Sequence, residues 1–109
     1  MSHTIILLQP TGNKTSRSFR DYESVAQSAA GICQLFEEKL KILNPGMRTL
    51  EYNIDDLFTF IDSHADVSAL VYDKNVNAYI PYNKAWIKEQ VLSHLRNIAS
   101  SGSRHGGRR

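Results

Sequence analysis

Cysteine is almost absent from the 109-residue chain. The single residue, Cys33, cannot close an internal disulfide, which fits a reducing compartment. Long apolar runs are missing as well. The longest is Ile5 to Leu8, far short of the roughly 18 residues that a membrane span needs, so no membrane association is expected. The first residues lack the basic and apolar halves of a secretory signal, and an intracellular protein is the expectation. Nor is there a marked excess of one charge: 13 Lys and Arg stand against 11 Asp and Glu. Arg104, Arg108 and Arg109 lie in the last ten residues, and residues 1–99 keep ten basic groups against eleven acidic ones, a formal charge of −1. Such a body is not a basic nucleic-acid binder by composition.

The residues that enzymes use are sparse too. Cys33 falls in the middle of an apolar helical pattern beside Ile32, where nothing lowers a thiol pKa, and reads as a packing residue. His64-Ala65-Asp66 is the nearest thing to a ligand pair, but no second histidine or cysteine cluster completes a metal site. Asp55, Asp56, Asp62 and Asp66 match no calcium loop and read as a solvated acidic face. No glycine-rich phosphate loop precedes a helix. The expectation is a protein without catalytic residues, bound metal or cofactor.

What is present is the patterning of one small domain. Thr4–Gln9 reads as a strand, stopped by the breakers Pro10, Gly12 and Asn13. Val25, Ala29, Ile32, Phe36, Leu40 and Leu43 recur at helical spacing, predicting a helix from about Asp21 to Leu43 that ends at Asn44-Pro45-Gly46. Thr49–Ile54 alternates as a strand, and Asp55–Asp62 returns to helical spacing with acidic residues at its start. Val67–Tyr72 and Ala78–Tyr82 read as strands joined by a hairpin loop, and Asn83 as the N-cap of a last helix with a stripe at Ile87, Val91, Leu95 and Ile98. The domain is expected to occupy residues 1–99. Residues 100–109, rich in Gly, Ser and Arg without an apolar side chain, read as a disordered tail. The fold class is α+β: a four-stranded sheet with three amphipathic helices on one face.

That architecture has a consequence for the first strand. Side chains alternate along a strand, so Ile5 and Leu7 face one way and Ile6 and Leu8 the other, and both faces call for burial. Three helices in so short a chain can cover one sheet face, and a homodimer through the sheets is the expected cover for the other, with an all-internal core in which one helix crosses over as the alternative. His3 and Gln9 share the Ile5 and Leu7 face; His3 reads equally well as an interface hydrogen-bonding group or an exposed strand start. Tyr79, Tyr82 and Trp86 could frame a peptide groove, with Trp86 read rather as core and the tyrosines left open. Pro81 places the last strand at an edge or a bulge.

Several segments together resemble the enhancer of rudimentary family: the opening Met1–Pro10, Asp21-Tyr22-Glu23-Ser24-Val25, Leu57–Asp62, Leu70-Val71-Tyr72 and above all Tyr79–Glu89. The resemblance runs in register from Met1 to about Ile98. It implies an antiparallel four-stranded sheet, helices on one side and a homodimer through the sheets, with His3, Ile5, Leu7 and Gln9 at the interface and Arg17 and Phe19 beside it. It further implies a non-enzymatic adaptor, expected in the nucleus though the cytoplasm is also open, that holds short segments of RNA-processing or small-RNA-pathway proteins and touches RNA mostly through them. A link to RNA decay and the cell cycle belongs to the same expectation. Tyr79 and Tyr82 are candidate partner-binding residues by their chemistry. Family members have been proposed as casein-kinase substrates at two positions, here Ser18 and Ser24; Ser18 keeps an acidic residue three positions on, whereas Ser24 is followed there by Gln27. Ser18 reads equally as a helix cap. The alternative function is direct RNA binding through the tail with Arg17, Arg20 and Arg48.

Overall fold

In a computed structural model describing residues 2–46 and 52–107, with side chains as far as residue 98, the β-branched run Thr4–Gln9 forms strand β1. A loop with a single 3-10 turn leads to β2 (Ser18–Tyr22), then to helices α1 (Val25–Leu43) and α2 (Ile54–Asp62). Strands β3 (Asp66–Asp73) and β4 (Ala78–Tyr82) follow, and α3 (Lys84–Gly107) closes the chain. The strands make one antiparallel sheet in the order β2-β1-β3-β4. The expected α+β class, with four strands and three helices, is the one observed.

One strand is not where its alternation put it. The second strand is Ser18–Tyr22, paired with β1 from Thr4 opposite Tyr22 to Leu8 opposite Ser18. Of the segment Thr49–Ile54, residues 49–51 lie outside the described residues, Tyr52 and Asn53 are irregular, and Ile54 opens α2. β2 lies at the sheet edge with four of its five residues exposed, so it needs no apolar alternation and shows none. Accordingly α1 begins at Val25 rather than near Asp21. Ser24 is its N-cap: the Ser24 hydroxyl accepts from the Gln27 N–H at 3.1 Å, and the Gln27 side-chain oxygen accepts from the Glu23 N–H at 3.1 Å. Asn53 and Asp56 form a reciprocal capping box on α2, and the Asn83 side chain accepts from the Trp86 N–H at 3.0 Å at the start of α3. α3 continues to Gly107, past the last apolar position at Ile98 and past the boundary expected at residue 99. A nucleated helix gains one backbone hydrogen bond per added residue and needs no apolar stripe for that.

The helices cover one sheet face. Thr4 and Ile6 from β1 and Val67 and Ala69 from β3 are buried against Ala29, Ile32 and Phe36 of α1, Leu57 and Ile61 of α2, and Ile87 and Val91 of α3. The buried Thr4 hydroxyl donates to the Ser2 carbonyl at 2.9 Å, so its desolvation is offset. Tyr22 fastens β2 to α1 by laying its ring on Gly31, where an added Cβ would clash with the ring and its hydroxyl. Gly31→Ala should therefore lower stability by about 1–3 kcal/mol despite the better helix propensity of alanine, because the ring must leave its site. Urea unfolding checks this, and a stabilised variant would show that the ring moves aside freely.

α2 and α3 are joined by charge. Asp62 accepts from Lys88 Nζ at 2.7 Å, with Lys84 Nζ at 3.9 Å. The hydrogen bond from Lys88 holds the Asp62 carboxyl below its ordinary value of 3.8. A lowered folded-state pKa gives stability that is present above the unfolded value and lost as pH falls through the folded one. Asp62 is exposed, so the contribution is small. Asp62→Asn should lower the thermal midpoint only slightly at pH 7, with the difference from wild type shrinking as pH falls below 3.8 and through the lower folded-state value.

Candidate interaction surface

The sheet face opposite the helices is uncovered in the single chain. Register fixes its membership, because cross-strand partners point to the same side of an antiparallel sheet. β1 contributes Ile5, Leu7 and Gln9. Phe19 on β2 stands opposite Leu7, and Asp21 opposite Ile5. On β3, Ser68 faces Leu7 and Leu70 faces Ile5; on β4, Pro81 pairs with Leu70 and Tyr79 with Tyr72. Leu7 is 37% exposed, Tyr79 41% and Phe19 65%, with Ile5 and Leu70 half-buried between them. Ile5, Leu7, Phe19 and Leu70 thus form an apolar centre with Asp21 and Ser68 beside them, and further polar groups occupy the ends of the face.

Both ends are ordered by hydrogen bonds. At one end His3 Nδ1 lies 2.7 Å from the Tyr79 hydroxyl, with the two rings edge to face. Tyr72 packs against Tyr79, and its hydroxyl donates to the Asn77 side chain. Asn77 sits in the β3–β4 turn with φ of 54°, a left-handed position that asparagine tolerates. At the other end Arg17 Nε donates to Gln9 Oε1 at 2.7 Å, and Gln9 Nε2 donates to the Thr11 carbonyl at 2.9 Å. Arg17 follows the 3-10 turn Lys14–Ser16, whose Asn13 cap accepts from the Thr15 N–H, so the loop is shaped to deliver it there.

Of the residues singled out from the sequence, His3, Ile5, Leu7, Gln9, Arg17, Phe19 and Tyr79 are brought together on this face. Tyr82 is not among them. It lies three positions from Tyr79 on the same strand, faces the helices and stacks on Trp86 with ring centroids 4.3 Å apart. Ser18 is exposed on β2, and the capping role belongs to Ser24. Arg20 stands opposite Ile6, on the opposite side from Phe19, so Arg17 and Arg20 do not converge; Arg48 lies outside the described residues. Pro81 is on edge strand β4, as its missing N–H requires. Asp21, Ser68, Leu70 and Tyr72 also belong to the face and had not been singled out, since their membership follows only from register.

The other candidate side chains make contacts within the fold. Cys33 is buried, and burial followed by the nearby Glu37 charge pushes its thiol up to about 11. The Tyr52 hydroxyl donates to Glu37 at 2.7 Å, and burial is the first cause holding its pKa above the ordinary value. His64 Nδ1 meets the Phe60 carbonyl at 3.0 Å at the end of α2. Among the described residues, no group of three or more His, Cys, Asp or Glu is placed to hold a metal ion, and no helix is long and apolar enough to cross a membrane.

Fold and surface together define a small α+β domain whose helices cover one side of an antiparallel sheet and whose other side presents an ordered apolar face. The chain belongs to the enhancer of rudimentary family, whose profile matches residues 1–101. It is 54% identical over 99 residues to an enhancer of rudimentary homolog of Dictyostelium discoideum, covering 91% of this chain and 99% of that one. Against the homolog of Arabidopsis thaliana it is 51% identical over 100 residues, 92% of each chain. The protein enhancer of rudimentary of Drosophila virilis is 50% identical over 101 residues, covering 93% of this chain and 97% of its own.

Proposed function

We propose that the protein is a non-enzymatic, homodimeric adaptor whose two copies pack through their open sheet faces and together hold short segments of RNA-processing or small-RNA-pathway proteins. The observation that supports this most is the apolar centre of the uncovered face. A fully buried side chain of this kind contributes roughly 1.5–3 kcal/mol. At half that value, Ile5, Leu7, Phe19 and Leu70 on each of two copies supply about 6–12 kcal/mol, comparable with the roughly 4–15 kcal/mol that association costs. Polar contacts at the ends of the face then decide the affinity. A segment bound across the dimer draws on both copies, so partner capture and self-association fail together. The proposed place of action is the nucleus, reached with a partner.

Affinity purification from nuclease-treated cells, followed by mass spectrometry, tests this reading. A small set of RNA-processing proteins should survive nuclease with the wild type and disappear with Leu7→Arg. Loss of the same proteins on nuclease treatment alone would mean that RNA is contacted first, and the arginines and the last ten residues would become the site.

A further inference from the structure

We propose that self-association through the open sheet face is controlled by protonation of His3, so that the pair holds at neutral pH and separates in mild acid. This rests on the dimer proposed above and adds a regulation to it. His3 is half-buried on that face just before β1, two residues ahead of Ile5, and its Nδ1 is fixed by the 2.7 Å contact with the Tyr79 hydroxyl. A neutral imidazole can accept that hydroxyl proton or donate to its oxygen, so it satisfies the contact without charge. A protonated ring donates from both nitrogens, the tyrosine proton must find another acceptor, and a full charge is carried into an apolar contact.

The groups facing His3 offer that charge little support. Tyr79 from β4 and Tyr72 from β3 are neutral, and the Tyr72 hydroxyl is already committed to Asn77. On β1 the next residue of the same face is Ile5. On this face of β2 the carboxylates are Asp21, opposite Ile5, and Glu23 just past the strand end, where the register continues opposite His3; Arg20 points to the other side, both carboxylates are exposed, and neither forms an ion pair with the ring. Arg17 is at the other end of the face, with Gln9. A second copy covering His3 removes water from the ring and supplies the same apolar surface, so it selects the neutral form.

Sedimentation equilibrium of the full chain between pH 7.5 and 5.5, at constant salt, tests the proposal. Each copy brings one His3 ring, and an imidazole is the side chain that changes charge across this range, so the dissociation constant should rise as much as about 100-fold. His3→Gln, which can still accept from Tyr79, should lose most of that dependence, whatever its affinity at pH 7.5. A wild-type dimer of constant affinity, or an equal slope in His3→Gln, would overturn the proposal while leaving the dimer in place. A monomer at every pH and concentration would overturn both. Should His3→Gln fail to dimerise, the wild-type His3 ring resonances decide: their titration midpoint should move to lower pH as protein concentration rises, and a fixed midpoint would overturn the proposal.

Discussion

Replacing Leu7 with arginine is expected to leave a folded monomer that holds no partner. Leu7 lies at the centre of the open face, flanked by Phe19 on β2 and Ser68 on β3, and it is 37% exposed in the single chain. The arginine can therefore stand in water without disturbing the helix-covered core. In a face-to-face pair it cannot, and an unpartnered buried charge costs about 3–5 kcal/mol. Two-fold symmetry imposes that cost twice, so dimer affinity should fall at least about a thousandfold. Sedimentation equilibrium reads the loss, and an unchanged far-UV circular dichroism spectrum separates it from unfolding. A dimer that survives Leu7→Arg would place the contact elsewhere on the molecule.

One residue earlier the outcome reverses. Ile6 points to the helices, is 1% exposed, and belongs to the same buried cluster as Ile32, Leu57 and Ile87. Ile6→Ala removes three carbons from a site enclosed by elements from along the chain, and such truncations cost about 2–5 kcal/mol. That is a large part of the roughly 5–15 kcal/mol by which small domains are stable. The thermal midpoint should fall by on the order of 10 °C or more, whether or not the chain dimerises. A loss below about 1 kcal/mol would show that the core closes around the gap.

The contrast between Ile6 and Leu7 shows what was legible in the sequence. β1, β3, β4 and the Asn83 cap were readable because each carries a local signal: alternation, a turn cluster, or a side chain that accepts a helical N–H. The two-sided apolar character of β1 pointed to an uncovered face, and the structure leaves Ile5, Leu7 and Phe19 on one. β2 escaped because an edge strand with one half-buried residue has no period to detect. A usable sign existed in Ser24 followed three residues later by Gln27, which sets the helix start at Val25 and frees Ser18–Tyr22 for the sheet. Tyr79 and Tyr82 could have been separated by parity alone, since three positions along a strand reverse the face. The roles of Leu70 and Tyr72 were not readable by such means. They depend on which strand lies beside β1, a fact of long-range pairing rather than of any local segment.

Hydroxyl-radical footprinting of the unmodified protein, across dilution from tens of micromolar to nanomolar, tests most directly whether two copies meet on the sheet face. Leu7 and Phe19 should be protected at high concentration and labelled on dilution, while Ile42 and Val76, exposed elsewhere on the chain, should label equally throughout. Labelling of Leu7 and Phe19 that stays as constant as that of Ile42 at every concentration would contradict the account.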